Sequence, residues 1–141
     1  MRRYASYGGK EASQSDERAA FSPQPSALSS AYHSWQQRSL TCGPNTTFAE
    51  GLATGSGFAM PQRILWEHLD DFVLVEDDAI LQAMVWMLEH AHTLAEAAGA
   101  APLAAAYQLR ERLAGRKVGL VCSGGNSSLA HLRRALARDK E

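Results

Sequence analysis

The chain of 141 residues holds little lysine and little cysteine, and its charge is nearly balanced. Cys42 and Cys122 lie far apart and match no metal-ligand spacing, and a reducing, cytoplasmic setting is expected in preference to a Cys42–Cys122 bridge. A net charge of −1 gives no field to draw in nucleic acid or an anionic membrane, so neither partner is expected. No apolar core follows Arg2 and Arg3, which excludes a secretory signal at this end, and the Ala-rich stretch 97–109 is too short and too mildly apolar to cross a bilayer. His90 and His92 fall on different faces of a helix and do not make a metal pair, so no metal site is assigned. The only lysines are Lys10, Lys117 and Lys140.

What the chain does have is 45% hydrophobic residues, ordinary for one globular domain with a buried core. Residues 1–30 are rich in Ser, Gln, Gly and Pro, and a poorly ordered segment is expected there, with the folded part over 31–141. The stretch AYHSWQQ suits a short helix and TCGPNTT a turn, while Gly51, Gly55 and Gly57 suggest backbone running close to something else. Ile64, Leu65, His68 and Leu69 predict a helix after Pro61. Phe72–Val75 predicts a compact strand, and Ile80, Met84, Met87, Leu88 and Ala91 recur at helical spacing after it. An Ala-rich helix is predicted from about Pro102 to Leu113. Next comes a strand, KVGLVC, that its lack of alternation places between two covered faces, and then a helix over Ser128–Arg138. The order implies a parallel, right-handed βαβ arrangement. Two strands cannot cover their own edges, so the sheet is expected to be incomplete without another partner.

The turn CSGGN lies at the carboxyl end of the second predicted strand, the rim where open α/β sheets bind ligands. Gly124 and Gly125 let backbone approach a flat or anionic group, Ser123 offers a hydroxyl, and Asn126 or Ser127 can cap the helix. A plain strand-to-helix turn with a cap explains the same residues, and spacing does not separate the two. Cys122 is expected to be a buried strand-end cysteine in preference to a nucleophile, since no histidine partner accompanies it. Met84, Trp86 and Met87 suit a core; His33, His68 and His131 suit surface or half-buried positions; and RRALARDKE suits a solvated helix end.

Four blocks in order, AYHSW, TFAEGLATG, LDDFVLVEDDAILQAM, and LAEAAGAAPLAAAYQ leading to GRKVGLVCSGGN, make the chain from Tyr32 to Arg138 resemble the C-terminal portion of threonine and serine dehydratases. These are pyridoxal-phosphate enzymes of the tryptophan-synthase-β fold (fold type II), and serine racemases belong with them. The resemblance implies an α/β fold: the C-terminal part of the large domain, an incomplete parallel sheet flanked by helices. It implies that the Ser123 hydroxyl bonds the pyridine nitrogen of pyridoxal phosphate, with Gly124 beside it in the same turn. Glu96, with Gly99, is implied to lie near the ring, and Gly51 to bring backbone against its face. A neutral hydroxyl at the nitrogen makes the ring a milder electron sink, which suits loss of a β-hydroxyl.

The family anchors its cofactor on a lysine in an early S-x-K motif, and none of the three lysines here has that context. The family's glycine-rich phosphate loop has no counterpart either; Gly8-Gly9 is the sole glycine pair upstream of the quoted blocks. No catalytic residue is therefore assigned. The resemblance implies β-elimination from L-threonine or L-serine to a 2-oxo acid and ammonia by the complete enzyme. The chain is expected to be an inactive fragment, the alternatives being one subunit of a split enzyme completed by another chain, or a non-catalytic remnant. Exposed apolar surface and self-association are expected, and no regulatory domain is expected after Glu141.

Overall fold

The computed structural model describes residues 29–138, so the segment expected to be poorly ordered lies outside the described residues as far as residue 28. Within them the chain forms five α-helices and one 3₁₀ turn: α1 (Ser30–Gln37), the 3₁₀ turn (Glu50–Leu52), α2 (Ala59–His68), α3 (Asp77–Ala91), α4 (Ala97–Gln108) and α5 (Leu129–Ala137).

Helix α1 starts at a side-chain cap, the Ser29 hydroxyl accepting from the Tyr32 amide at 3.2 Å, and stops at Arg38 in the left-handed region. Ser30 and Ser34, four apart, are its buried residues. The Thr41 hydroxyl donates to the Ser30 carbonyl at 3.2 Å, which commits its one proton, so the Ser34 hydroxyl is the donor in the 3.0 Å Ser34–Thr41 contact. The Ser34 oxygen also accepts from the Thr41 amide at 2.9 Å. Helix α2 docks through polar side chains: the Trp66 indole donates to the Ser34 carbonyl at 3.1 Å, and the buried Gln62 amide donates to the Ala31 carbonyl at 3.0 Å. A single antiparallel bridge, Cys42 to Ser56, closes the intervening loop.

The hydrophobic core lies between α3, α4 and α5. Ile80, Leu81, Ala83, Met84 and Val85 of α3 are buried, and what they meet is almost entirely alanine: Ala97, Ala100, Ala101 and Ala104 of α4 and Ala135 of α5. Small side chains on one helix let the other approach closely and bury its larger residues, each worth roughly 1.5–3 kcal/mol. The Asp77 carboxylate, in the first turn of α3, accepts from the Thr47 hydroxyl and, at 3.3 Å, from the Phe48 amide. That ties the 3₁₀ region to the core.

Three sequence expectations change. Neither Phe72–Val75 nor residues 117–122 forms a strand; among the described residues the two runs do not pair with each other. A strand needs a neighbour for its amides and carbonyls. Here Leu74 uses its carbonyl to accept from the Gln108 side chain at 3.3 Å, and Phe72 packs edge-on against Tyr32 at 5.6 Å. Residues 117–122, expected to be covered on both faces, are exposed, with Val121 76% and Leu120 46% accessible. Finally, α4 begins at Ala97 and ends at Gln108, so Pro102 sits inside the helix instead of opening it. The Ala100 amide already donates to the Glu96 carbonyl at 2.9 Å, which places the true start five residues before Pro102. No helix among the described residues is long and apolar enough to cross a membrane.

Candidate functional site

The turn after residue 122 runs across the N-terminus of α4 before α5 begins. Gly124 is fixed there by its carbonyl, which accepts from the Glu96 amide at 3.1 Å, an amide that the first turn of α4 cannot satisfy internally. The approach is as close as backbone allows. A Cβ on Gly99 would meet the Gly124 carbonyl oxygen at 2.5 Å, and a Cβ on Gly125 would meet the Leu94 carbonyl at 2.6 Å. A Cβ on Gly124 would overlap the Glu96 carboxylate. The turn then doubles back, Ser127 amide to Gly125 carbonyl at 2.8 Å, and the Ser128 hydroxyl caps α5 by accepting from the His131 amide at 3.1 Å. The predicted capping at this helix start is thus performed by Ser128, one residue past the Asn126–Ser127 pair that composition suggests.

Of the predicted site residues, the structure brings Glu96 and Gly124 into direct contact. It sets Gly51 against the same helix: a Cβ there would meet the Ala98 Cβ at 2.8 Å. Gly51, Glu96, Asn126 and His131 line a small cavity of about 70 Å³ between the 3₁₀ turn and the starts of α4 and α5. Ser123 lines neither this cavity nor a larger one, of about 370 Å³, between residues 72–75 and α4. Its side chain is exposed and has no hydrogen-bond partner among the described residues. Cys122, expected to be buried, is also exposed, as is Cys42, and both thiols are free. With no neighbouring strand over residues 117–122, nothing covers the strand-end cysteine.

These residues fit one edge of an aromatic cofactor. The Ser123 hydroxyl, without a hydrogen-bond partner among the described residues and carried on a turn seated by the Gly99–Gly124 approach, has the donor chemistry that a ring nitrogen would take. The covalent anchor is not in reach of the same argument: Lys117, the lysine within the described residues, sits on the exposed 117–122 run. Phe48 is the residue that sequence reasoning missed. It lies 5.3 Å edge-on from the His131 ring and 4.8 Å beneath the Arg134 guanidinium, joining α5 to the loop before the 3₁₀ turn. It stands inside the TFAEGLATG block, which has no helical or strand periodicity to single it out.

The helices and the glycine turn occur in an arrangement shared with fold type II pyridoxal-phosphate enzymes, as comparison with known proteins shows. Residues 11–124 match the family described as pyridoxal-phosphate dependent enzyme, and the chain belongs to that family, whose members depend on that cofactor. It is 38% identical over 101 residues to an L-threonine ammonia-lyase of Geobacter sulfurreducens, covering 71% of this chain and 25% of that protein. It is 33% identical over 98 residues to a serine racemase of Dictyostelium discoideum, covering 68% of this chain and 30% of that one. Among solved structures, a threonine deaminase from T.th. superimposes with a TM-score of 0.68 at 30% identity, over 74% of this chain and 39% of its own. Maize serine racemase gives 0.67 at 26% identity, over 82% and 38%. The chain thus spans a quarter to two fifths of the length of these proteins.

Proposed function

We propose that residues 31–141 form the C-terminal part of the large domain of a threonine/serine ammonia-lyase, inactive alone. The complete enzyme would convert L-threonine or L-serine to a 2-oxo acid and ammonia by eliminating the β-hydroxyl. The observation that carries this is the Ser-Gly-Gly turn held flat on α4 with the Ser123 hydroxyl left over. Pyridoxal phosphate, when bound, supplies the electron sink that stabilises charge at the substrate α-carbon. Ser123 would donate its proton to the ring nitrogen as a hydrogen bond without transferring it, which keeps that sink mild. Gly124 would keep the turn thin enough for the ring to approach, Glu96 would set the ring's edge, and Gly51 would bring backbone to its face.

The two extended runs, Phe72–Val75 and residues 117–122, would become strands of a parallel sheet once neighbours flank them, making the fold α/β. Those neighbours would come from a complementary chain or from self-association, and the bare apolar side chains of 118–121 support this reading. Two free, exposed thiols suit a reducing, cytoplasmic setting.

The test combines the purified chain with a polypeptide carrying the family's S-x-K lysine and glycine-rich phosphate loop, and measures 2-oxo acid formed from L-threonine and L-serine. The expected result is none from the chain alone and turnover from the mixture, lost or reduced by Ser123→Ala. Turnover by the chain alone would overturn its inactivity, and a mixture that stays silent would overturn its competence as a fragment.

A further inference from the structure

The identity of the hydroxyl at position 123 is only half of what a cofactor contact needs; its place in space must also be fixed, and among the described residues Ser123 makes no side-chain bond that could fix it. The fixing comes from the next residue. The Gly124 carbonyl reaches the Glu96 amide at 3.1 Å because residue 99, one turn into α4, has no side chain in the way. The absent Cβ of Gly99 would sit 2.5 Å from that oxygen, 3.3 Å from the Gly124 nitrogen and 3.3 Å from the Cys122 sulfur. The nearest of these is a backbone atom, which cannot swing aside as a long side chain can, so an added methyl must push the turn off the helix.

We propose that Gly99 is a positioning residue: its empty side-chain space lets the Gly124 carbonyl seat on the N-terminus of α4, and this seating sets the position of Ser123 toward the cofactor. The inference rests on the reading of Ser123 given above and adds to it the device that aims the hydroxyl. Gly119 makes the internal control, since a Cβ there meets nothing within 4 Å. Any effect of Gly119→Ala reports lost glycine flexibility alone.

Two readouts on the full chain decide the matter, both by mass spectrometry. Amide hydrogen exchange at Glu96 should quicken by about tenfold in Gly99→Ala, the loss of one backbone hydrogen bond, and stay unchanged in Gly119→Ala. The alkylation rate of Cys122 relative to Cys42 should rise in Gly99→Ala, because Cys122 borders the displaced turn and Cys42 lies in the separate α1–α2 loop. In the mixture with the polypeptide carrying the S-x-K lysine and phosphate loop, pyridoxal phosphate, added as the probe, should slow alkylation of Cys122 but not of Cys42 in the wild type, and this protection should disappear in Gly99→Ala. A merely structural role for Gly99 would raise exchange throughout α4 and leave the protection proportionate; that result overturns the proposal. Loss of the exchange difference at Glu96 overturns it too. Absence of protection in the wild type would sink the reading of Ser123, while the exchange and alkylation ratio still report whether Gly99 seats the turn. Should Gly99→Ala not fold, a Glu96 amide in the wild type exchanging as fast as an open loop would overturn the seating.

Discussion

Ser34 and Ser123 show how differently one side chain can be used. Ser34 is fully buried, donates to the Thr41 hydroxyl and accepts from the Thr41 amide. Removing its oxygen takes the partner from the half-buried Thr41 amide and hydroxyl, so Ser34→Ala should cost about 1–3 kcal/mol of stability, read as a lower urea midpoint. Ser123 is exposed and bonds nothing among the described residues. Ser123→Ala should move the same midpoint by less than about 0.5 kcal/mol. A serine with no side-chain bond among the described residues, next to two glycines that seat the turn, is consistent with the cofactor contact proposed for it. If Ser123→Ala destabilises the chain as much as Ser34→Ala, the hydroxyl has a structural partner and its assignment to the cofactor fails. From the sequence, the role proposed for Ser123 comes only through the SGGN resemblance, and Ser34 stands in the AYHSW block without any sign of what it bonds.

Among the elements, α4 carries the most argument. Its buried face is Ala97, Gly99, Ala100, Ala101 and Ala104, and α3 packs along it. Alanine there is a spacing device: Ala100→Leu should lower stability by about 1–3 kcal/mol by forcing the two helices apart, with the helical circular-dichroism signal retained below the transition. An unchanged midpoint would mean that the seam is loosely packed. The helices were legible where apolar spacing repeats, as at Ile80, Met84 and Met87, whereas the cap of α5 falls on Ser128, one residue beyond the candidates that composition offers. The start of α4 was not legible, because Pro102 looks like a first-turn residue and Glu96 makes no side-chain cap bond to mark the true start. The strands were not legible as realised structure for a different reason. Val73, Leu74, Leu120 and Val121 have strand composition, but a strand is a property of a pair, and neither run finds a neighbour among the described residues, as the expectation of an incomplete sheet allows.

For the molecule as a whole, the distribution of apolar surface follows from that missing pairing. Val118, Leu120 and Val121 are exposed together on one extended run, and Leu94 and Leu129, on either side of the glycine turn, are exposed as well, Leu129 at 70%. Scattered exposed leucines are common, whereas an extended apolar run whose backbone is unpaired among the described residues is a template for another strand. The purified chain should therefore self-associate, giving dimers or larger species in sedimentation velocity that grow with concentration. Placing charge on the run, with Leu120→Lys and Val121→Glu together, should shift the distribution toward monomer, because a paired strand would have to bury both charges. Neither residue belongs to the helical core, so the circular-dichroism spectrum should not change. A wild-type chain that sediments as a single monomeric species at every concentration would mean the run is already satisfied, and the expected sheet neighbour would lose its physical motive. A double variant that associates as strongly as the wild type would move the contact elsewhere, to the exposed Phe58, Met60 and Ile64 at the start of α2.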